Sequence, residues 1–424
     1  MRYFSTRSHE ELFSFKEAVF KALAPNGGLF VPKKLPELSN DQLNMLQTAS
    51  FSEIGATILS LFIDDIPRRE LNQIVKKGIS FQLPIKTVGN NRILELFHGP
   101  TLAFKDVAAQ ILSRIMEHYL KQNDKKILIL TATSGDTGGA VAHGFSEKEH
   151  ITAVILFPKD KVSILQREQL THVGKNICPI EVAGTFDDCQ KIVKQAFTDP
   201  DLEKHNLTSA NSINIGRLIP QMIYYAYVWK ELKKNNIPFV VPSGNMGNVT
   251  AGLYAKMIGI PIGKLVIACN TNDPVVTYYE TGMYKKQTAH QTLSTAMDIG
   301  HPSNFERILD LLDNNHEKFK EMFQAVRIDD TETVKTIQDV YKKHNYLLDP
   351  HTAVAWAAAD KLKLEMPVII STADPIKFSQ EIKNGTGMSF PDKSKPTFDG
   401  DMTVYPSKNT YSSVKQIILS FINQ

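Results

Sequence analysis

Apolar positions near the N-terminus recur at helical spacing. Ser14 and Glu17 have the spacing of a capping box, in which the side chains at two helix positions satisfy each other's backbone N–H groups. The apolar positions at helical period that follow are Phe15, Ala18, Val19, Ala22 and Leu23. Residues 25–28 (PNGG) end this helix, and a second helical stretch covers Phe51–Phe62. Because residues 1–80 carry little strand pattern, they predict a mainly helical N-terminal domain.

After about residue 92, short apolar runs alternate with helical patterns. The runs that predict strands are residues 126–131, 151–157, 239–241, 264–269 and 368–370. The patterns that predict helices are residues 139–146, 162–173, 187–197, 219–233 and 249–258. Strands that alternate with helices are typical of an α/β fold, with a parallel sheet covered by helices. Such sheets bind ligands in the loops at the carboxyl ends of the strands.

Composition narrows the classes of partner. The chain has 424 residues, which predicts two or three domains, and its net charge is +3. Such a small charge makes neither nucleic acid nor a membrane surface an expected partner. Three cysteines cannot build a disulfide framework, no pair has metal-site spacing, and no apolar run approaches the ~18 residues of a membrane helix. The polar N-terminus is no secretory signal, so we expect a cytoplasmic protein without a metal.

Residues 243–248 (SGNMGN) follow a predicted strand and precede a predicted helix. Glycine allows the backbone to approach a ligand closely, and the free N–H groups of a helix start attract an anion. The spacing matches neither a Walker loop nor a dinucleotide fingerprint. We name residues 244–248 the phosphate cup, because they favour a bound phosphate. A tight strand–helix turn without a ligand would have the same composition.

Residues 133–139 (TSGDTGG) form a similar loop after the strand at 126–131. Hydroxyl side chains and glycines at a helix start make a second anion site, suited to a carboxylate. We name residues 133–139 the carboxylate loop. Ser134 or Thr137 could equally be a helix N-cap that binds no ligand.

Lys105 lies in the first turn of a predicted helix. A cation is unfavourable there, because the helix dipole places positive charge at the N-terminus. Between Phe104 and Val107 the lysine is also expected to be partly desolvated. Both effects favour the neutral amine, which is the form that a Schiff-base lysine requires. The alternative is a solvated lysine paired with Asp106.

Thr372 follows the predicted strand at residues 368–370, and its hydroxyl could hydrogen-bond a ring nitrogen. A simple turn would also begin in this way. Taken together, a reactive lysine, two anion sites and a hydroxyl at a strand end are what pyridoxal phosphate and an amino-acid substrate would require. The combination therefore predicts pyridoxal phosphate as the cofactor.

Six motifs make the chain resemble the threonine synthase family, within the fold-type II group of pyridoxal-phosphate enzymes. They are residues 96–106 (LFHGPTLAFKD), 131–138 (TATSGDTG), 242–248 (PSGNMGN), 209–214 (SANSIN), 296–298 (AMD) and 27–32 (GGLFVP). The resemblance covers nearly the whole chain and weakens after about residue 385. It implies an α/β fold with two domains built on parallel or mixed sheets, together with the helical N-terminal domain.

The resemblance also implies an activity, the conversion of O-phospho-L-homoserine and water to L-threonine and phosphate by a carbon–oxygen lyase. Lys105 would hold the cofactor covalently, and Thr372 would face its pyridine nitrogen. The residues that would bind the cofactor phosphate are Gly244, Asn245, Met246, Gly247 and Asn248. The residues that would contact the amino-acid end of the substrate are Ser134, Asp136 and Thr137. Met246 replaces a usual phenylalanine, and Asp374 replaces a common histidine near the ring nitrogen.

The phosphate that leaves the substrate needs an anion site of its own. The candidates are Lys161, Arg167, Asn214 and Arg217, of which Lys161 and Asn214 fit the family pattern better. For either arginine, a solvated helix face is an equal alternative. Two other functions stay open: another fold-type II lyase, such as a serine or threonine dehydratase, and a non-catalytic module that binds phosphorylated ligands.

The resemblance implies a domain division as well. We expect a helical N-terminal domain at residues 1–80, a large cofactor-binding domain at 81–104 and 216–424, and a smaller domain at 105–215. Residues 384–410, rich in Gly, Pro, Lys and Ser, predict an exposed loop. The sequence is compatible with a monomer or a homodimer.

Overall fold

Short strands and helices alternate along the chain in a computed structural model, which describes residues 1–122, 125–388, 398 and 402–423. The strands, in chain order, are β1 Tyr3–Ser5, β2 Ser8–Phe13, β3 Phe30–Pro32, β4 Ile85–Val88, β5 Asn91–Glu95, β6 Ile127–Ala132, β7 Ile151–Pro158, β8 Ile177–Ala183, β9 Leu207–Thr208, β10 Phe239–Pro242, β11 Leu265–Cys269, β12 Phe323–Arg327, β13 Val368–Ser371 and β14 Tyr405–Lys408. The α-helices, in chain order, are α1 Phe15–Lys21, α2 Asn40–Leu46, α3 Phe51–Phe62, α4 Arg68–Gly78, α5 Lys105–Lys121, α6 Asp136–Phe145, α7 Ile164–Thr171, α8 Phe186–Ala196, α9 Pro200–Glu203, α10 Ile215–Leu218, α11 Met222–Leu232, α12 Gly247–Met257, α13 Pro274–Thr281, α14 Phe305–Leu311, α15 His316–Met322, α16 Asp330–His344, α17 Pro350–Lys361, α18 Ser379–Thr386 and α19 Tyr411–Ile422. Three short 3-10 turns lie at Ile219–Gln221, Thr295–Met297 and Pro375–Phe378.

The N-terminal unit is mainly helical, as predicted, but it also contains a small sheet. The capping box of Ser14 and Glu17 is present at the start of α1, and α3 has the predicted bounds. The strands β2, β1 and β3 form an antiparallel sheet in that order, which the sequence did not predict. Two of these strands have only three residues, too few to display a period-two pattern.

The larger sheet has six strands in the order β12-β11-β10-β13-β5-β4. Its pairs are parallel except for β4 with β5, so the sheet is mixed, as the family resemblance implied. The strands β10, β11 and β13 are fully buried, because helices cover both faces and exclude water from every side chain. All five strands predicted from apolar runs are present within one or two residues of their predicted bounds.

The second sheet has five parallel strands in the order β14-β8-β7-β6-β9. Its edge strand β14 comes from the C-terminal segment, and α19 packs on the same sheet beside α8. Residues 405–408 are therefore a strand and not the predicted exposed loop, of which residues 389–397 and 399–401 lie outside the described residues. The C-terminal segment lies with residues 105–215, whereas our proposed domain division counted it with the large domain. The division itself stays a prediction.

Burial of aliphatic side chains holds these layers together. Every residue of β6 is buried, as are seven of the eight residues of β7. Each fully buried Val, Leu or Ile contributes about 1.5–3 kcal/mol relative to an exposed one. No helix in the described part of the chain is long and apolar enough to cross a membrane.

The order of the strands decides where the loops meet. β13 lies between β10 and β5, and all three run in the same direction. Their carboxyl ends therefore bring three loops together at one edge of the sheet: the phosphate cup after β10, Thr372 after β13 and the lysine motif after β5. The carboxylate loop follows β6 of the second sheet.

Candidate functional site

The lysine motif forms a loop that lies along the end of β13. Backbone hydrogen bonds join the two segments, since Leu96 N–H donates to Ser371 O at 3.0 Å and Phe104 N–H donates to Thr372 O at 2.8 Å. The helix α5 then begins at Lys105, which confirms the predicted position of this lysine in a first helical turn. The Lys105 side chain thus starts from a helix N-terminus beside Thr372.

The Lys105 amine is mostly desolvated and has a carboxylate neighbour. Its side chain is 18% exposed, and Nζ lies 3.6 Å from Asp136 Oδ2. Burial lowers the pKa of this amine; the charge of Asp136 opposes that shift, while the charges of Lys377 and Arg217 reinforce it. The net effect favours the neutral amine, which is the nucleophilic form.

Asp106 is engaged elsewhere, so Lys105 is not a solvated lysine paired with Asp106. The Asp106 carboxyl group is fully buried and accepts hydrogen bonds from the N–H of Thr101 at 2.8 Å and from its hydroxyl at 2.7 Å. Burial raises the pKa of Asp106 to about 6, although the Thr101 hydrogen bonds act in the opposite direction. A Cβ at Gly99 would lie 2.5 Å from Asp106 Oδ2, so the loop requires glycine there.

A second lysine at the site, Lys377, is buried and was not predicted from the sequence. It is 2% exposed, and its Nζ lies 2.8 Å from Asp136 Oδ1. The same ammonium donates to Thr101 O at 2.6 Å and to Gln169 Oε1 at 3.0 Å. We name Lys105, Asp136 and Lys377 the two-lysine cluster. No sequence signal could have found Lys377, because lysines are mostly exposed and this one stands outside any recognisable motif.

Thr133 shapes the carboxylate loop. Its hydroxyl oxygen accepts hydrogen bonds from the N–H groups of Gly135 at 3.0 Å and Gly138 at 2.8 Å. Gly135 has a φ of +144°, and a Cβ there would lie 2.5 Å from Gln166 Nε2. Both the conformation and the close contact therefore require glycine at this position.

The three residues predicted to contact the amino-acid end of the substrate differ in their surroundings. Ser134 is exposed, Thr137 is half-buried, and Asp136 is buried at the start of α6. Burial would raise the pKa of Asp136, but the charges of Lys377 and Lys105 outweigh it and hold that pKa well below its ordinary value. Asp136 is thus a carboxylate shared by two lysines, and substrate contact by these three residues stays a prediction.

The phosphate cup offers donors that no protein group uses. Among the described residues, no hydrogen-bond acceptor faces the backbone N–H groups of residues 244–248. Met246 has a left-handed φ of 63° and directly precedes α12. Asn248 Oδ1 accepts from the Tyr225 hydroxyl at 2.7 Å, whereas the buried Asn248 Nδ2 has no partner in the described part of the chain. Unpaired donors at a helix start form an anion site.

Gly244 lies against a backbone segment that His351 holds. A Cβ at Gly244 would lie 2.8 Å from Ala296 O and 2.9 Å from Met297 Cα, so only glycine fits. Ala296 N–H donates to His351 Nε2 at 3.1 Å, and the opposite nitrogen, Nδ1, lies 2.8 Å from Asp349 Oδ1. These two contacts fix the orientation of the imidazole ring, with Nε2 toward Ala296 N–H and Nδ1 toward Asp349.

Arg307 and Asn304 support the cup from behind. Asn304 Nδ2 donates to Asn245 O at 3.0 Å, and Arg307 Nη1 donates to Asn304 Oδ1. Arg307 also donates to Phe30 O at 3.0 Å and to Ile213 O at 2.5 Å, so it ties the N-terminal sheet to the cup. The guanidinium is fully buried among neutral oxygens, and burial lowers its pKa to about 10.

Thr372, the predicted partner of the ring nitrogen, is 7% exposed and lies between the cup and the lysine motif. Two residues further on, Asp374 accepts a hydrogen bond from Ile376 N–H at 2.9 Å. The Asp374 carboxylate thus caps the 3-10 turn that carries Lys377.

Arg217 lies next to the lysine with one donor unused. Its Nη1 donates to Ala210 O at 2.7 Å and its Nη2 to Lys105 O at 3.5 Å, while the buried Nε has no partner among the described residues. Burial lowers the pKa of Arg217 to about 10. Arg167, the other candidate arginine, instead forms an ion pair with Glu181 at 2.8 Å. The structure thus brings Arg217, but not Arg167, to the site.

Asn214 and Lys161 are the remaining candidates for the substrate phosphate. Asn214 is fully buried, its Nδ2 donates to Val19 O at 2.8 Å and Ser209 O at 2.9 Å, and its Oδ1 accepts from Gly216 N–H at 2.9 Å. The side chain therefore holds the loop before α10. Lys161 is exposed in the β7–α7 connection. Their roles as phosphate ligands stay predictions.

The residues at this edge of the sheet fit pyridoxal phosphate. The cup and Asn248 Nδ2 supply unused donors for the phosphate, and a desolvated amine at Lys105 suits an aldehyde. Thr372 supplies a hydroxyl between them. The three groups follow adjacent strands, at the same edge of one sheet.

Comparisons with known proteins agree with this geometry. Residues 94–370 match the family model described as pyridoxal-phosphate dependent enzyme, and residues 2–79 match that of the threonine synthase N terminus. The chain is 39% identical to threonine synthase of Escherichia coli over 391 residues, which cover 90% of each chain. It is 37% identical to threonine synthase of Schizosaccharomyces pombe, with 90% of this chain and 88% of the relative covered.

Solved structures give the same result. The crystal structure of pyridoxal-phosphate-bound threonine synthase from Brucella melitensis has a TM-score of 0.92 and 33% identity, with 99% of each chain covered. That of yeast threonine synthase has a TM-score of 0.91 and 33% identity, with 100% of this chain and 99% of the other covered. The predicted fold class and cofactor are therefore confirmed. The chain belongs to the threonine synthase family of fold-type II pyridoxal-phosphate-dependent enzymes.

Proposed function

We propose that the chain converts O-phospho-L-homoserine and water to L-threonine and phosphate, as a carbon–oxygen lyase that acts on a phosphorylated substrate. The observation that carries the proposal is the desolvated Lys105 amine, at the sheet edge that also carries the phosphate cup, together with the unpaired Nε of Arg217, whose Nη2 contacts Lys105 O. One anion site serves the cofactor, and the second distinguishes a phosphorylated substrate from a plain amino acid.

The chain's own residues divide the chemistry among them. Bound pyridoxal phosphate supplies an electron sink for negative charge on the substrate carbon. Lys105 Nζ would hold the cofactor and, when released, would act as a base toward the Cα proton. After it has passed that proton to another acceptor, the same amine would be free to accept a proton from Cβ. Thr372 offers the pyridine nitrogen a neutral hydroxyl instead of a carboxylate. We infer that this leaves the pyridine nitrogen less protonated. A less protonated nitrogen would help the enzyme to control whether Cα or Cβ of the substrate carries the negative charge.

Substrate recognition is proposed to use two further groups. Arg217 Nε is an unused donor beside Lys105, and a phosphate oxygen would satisfy it. Ser134, Thr137 and the free N–H groups at the start of α6 are proposed to receive the substrate carboxylate. Asp136 is proposed to interact with the substrate amine, because it is the carboxylate closest to Lys105. Lys161 and Asn214 remain secondary candidates for the phosphate.

The two rival functions differ from the proposal in one respect each. A serine or threonine dehydratase would share the cup and the lysine but would not need Arg217 as an anion ligand. A non-catalytic module would need the anion sites but not a neutral amine. The depressed pKa of Lys105 disfavours the module, and the unpaired Arg217 Nε disfavours the dehydratase.

The deciding experiment is a substrate panel. The purified enzyme is assayed with O-phospho-L-homoserine, L-serine and L-threonine while the visible spectrum of the cofactor is recorded. Threonine and phosphate should form in equal amounts from O-phospho-L-homoserine alone. Phosphate release without threonine, or faster turnover of L-serine, would reject the proposal.

Variants at the second anion site sharpen the assay. Arg217→Ala should raise KM for O-phospho-L-homoserine at least ~10-fold, because it removes a buried cationic hydrogen bond. Lys161→Ala, on the exposed loop, should have a smaller effect. The cofactor spectrum of both variants shows whether the cofactor is still bound, since neither residue belongs to the phosphate cup.

We further propose that the enzyme works in the cytoplasm, as a monomer or homodimer. Its three cysteines are unpaired and buried, and burial raises the pKa of each thiol to about 12. Such thiols are inert and form no disulfide, which agrees with a reducing compartment such as the cytoplasm. Cell fractionation tests the first proposal, and light scattering of the purified enzyme tests the second.

A further inference from the structure

Lys377 presents an unusual arrangement, in which a buried and a partly buried lysine share one carboxylate. Lys377 Nζ lies 2.8 Å from Asp136 Oδ1, and Lys105 Nζ lies 3.6 Å from Asp136 Oδ2. Lys377 therefore takes the closer contact. Gln166 Nε2 donates to the same Oδ1 at 2.9 Å, so this oxygen is held from two sides.

The ammonium of Lys377 has every donor occupied. Asp136 Oδ1, Thr101 O and Gln169 Oε1 lie within 3.0 Å of Nζ, and three protons match three acceptors. A fully hydrogen-bonded ammonium with a carboxylate partner stays charged even when it is buried. Lys377 is therefore a fixed positive charge, whereas Lys105 has only the longer contact to the shared carboxylate.

The charged groups that face Lys105 come from four elements. Asp136 lies at the start of α6, Lys377 in the 3-10 turn after β13, and Arg217 in α10. Asp106 follows Lys105 in α5 and is itself hydrogen-bonded to Thr101. Two cations and one engaged carboxylate surround the Lys105 amine, and the second carboxyl group is turned to Thr101.

We propose that Lys377 is a positioning residue, which draws Asp136 away from Lys105 and so leaves the Lys105 amine uncharged and able to react with an aldehyde. The inference rests on the proposed role of Lys105 in holding the cofactor. Lys377 acts through Asp136 and through its own charge. Without Lys377, Asp136 would pair with Lys105 alone and would favour its ammonium form.

A purely structural tie is the competing explanation, because Lys377 also joins Thr101 to Gln169. Loss of that tie would loosen the site but would not change the charge of Lys105 in a defined direction. Substitutions of Lys377 and Asp136 separate the two explanations. Electrostatics requires the two substitutions to shift the pKa of Lys105 in opposite directions, since one removes a cation and the other an anion.

The test measures the protonation of Lys105 directly in the full-length chain after removal of the cofactor. Reductive methylation with formaldehyde and cyanoborohydride modifies only neutral amines. Mass spectrometry of the peptide that contains Lys105, sampled across pH, gives the midpoint at which this amine becomes reactive. Exposed lysines such as Lys161 in the same sample are the internal standard.

Four results are expected. Lys377→Met should raise the Lys105 midpoint by about one pH unit, and Asp136→Asn should lower it by a similar amount. The double variant should return to within about half a unit of wild type, because one cation and one anion leave together. Lys361→Met, which removes an exposed lysine paired with Glu332, should leave the midpoint unchanged.

Circular dichroism and thermal melting verify that each variant is folded. A shift of both single variants in the same direction, or an unchanged midpoint in Lys377→Met, would overturn the proposal. If Lys377→Met does not fold, Asp136→Asn decides alone, and an unchanged or raised midpoint there rejects the idea. Because the readout requires no turnover, its failure is distinguishable from an enzyme that makes no threonine.

Discussion

The phosphate cup and the two-lysine cluster prepare for a ligand in different ways. The cup consists of neutral backbone donors from one continuous segment, residues 244–248, without protein acceptors among the described residues. The cluster consists of titratable side chains from three distant segments: the Lys105 amine, the Asp136 carboxylate and the Lys377 ammonium. The phosphate cup has donors for a negative charge that a ligand must bring, whereas the charges of the two-lysine cluster already compensate one another.

This difference follows from the cost of burial. A neutral N–H left unpaired at a helix start costs little when water or a ligand can reach it, so a cup can remain open. A buried charge without a partner costs several kcal/mol, so charges in a site must be compensated by one another. We therefore expect substitutions in the cluster to change reactivity, and substitutions around the cup to change cofactor affinity.

Loss of the Lys105 amine should have the largest effect. Lys105→Ala should lower kcat at least ~10³-fold, because the residue supplies both the covalent link and the base. Borohydride should no longer fix the cofactor to the chain, while the intact cup should still bind it without a covalent bond. Lys335→Ala on the surface is the matched control. Wild-type turnover in Lys105→Ala would disprove the role of the cluster as the reaction centre.

Loss of Arg307, the cation behind the cup, should have the second-largest effect. Arg307→Met should lower the free energy of unfolding by about 3 kcal/mol, because several buried oxygens lose their donor. Affinity for pyridoxal phosphate should fall as well, because Asn304 is no longer held against Asn245. Denaturant unfolding and cofactor titration measure the two effects. If stability falls while the affinity for pyridoxal phosphate is unchanged, Arg307 does not support the cup.

Asp106 should make stability depend on pH. Burial raises its pKa in the folded state to about 6, above the ordinary 3.8, so folding favours the protonated form. Its contribution is complete below pH 4 and is lost as pH rises through 6, a change of about 3 kcal/mol. Urea unfolding measures the difference in free energy of unfolding between wild type and Asp106→Asn. This advantage of wild type should shrink from pH 4 to pH 7. A constant difference would contradict the raised pKa.

Two alanine substitutions within the cup should have the smallest effects and should differ from each other. Gly244→Ala should destabilise the chain by about 1–3 kcal/mol, because its Cβ would overlap Ala296 O and Met297 Cα. A Cβ at Gly247 would have its nearest neighbour at 3.6 Å, so Gly247→Ala should leave thermal stability almost unchanged. Equal melting temperatures for both variants would show that the cup tolerates displacement.

The sequence predicted much of the cup and less of the cluster. Residues 243–248 are one contiguous motif whose local order, strand then glycine loop then helix, can be recognised without any tertiary contact. Lys105 could be singled out because a lysine at a helix start conflicts with the helix dipole. Lys377, His351 and Arg307 could not, because nothing in their neighbours along the chain distinguishes a buried cation or imidazole from an exposed one.

Periodicity and local motifs determined the alternation of strands and helices, the capping of the first helix and the family to which the chain belongs. Tertiary structure alone decided that β14 joins the second sheet, that β13 separates β10 from β5, and that one carboxylate serves two lysines. The physical reason is the distance along the chain over which each effect acts. Backbone propensity and hydrophobic spacing act over a few residues, whereas strand order, desolvation and charge pairing depend on segments that meet only in the folded chain.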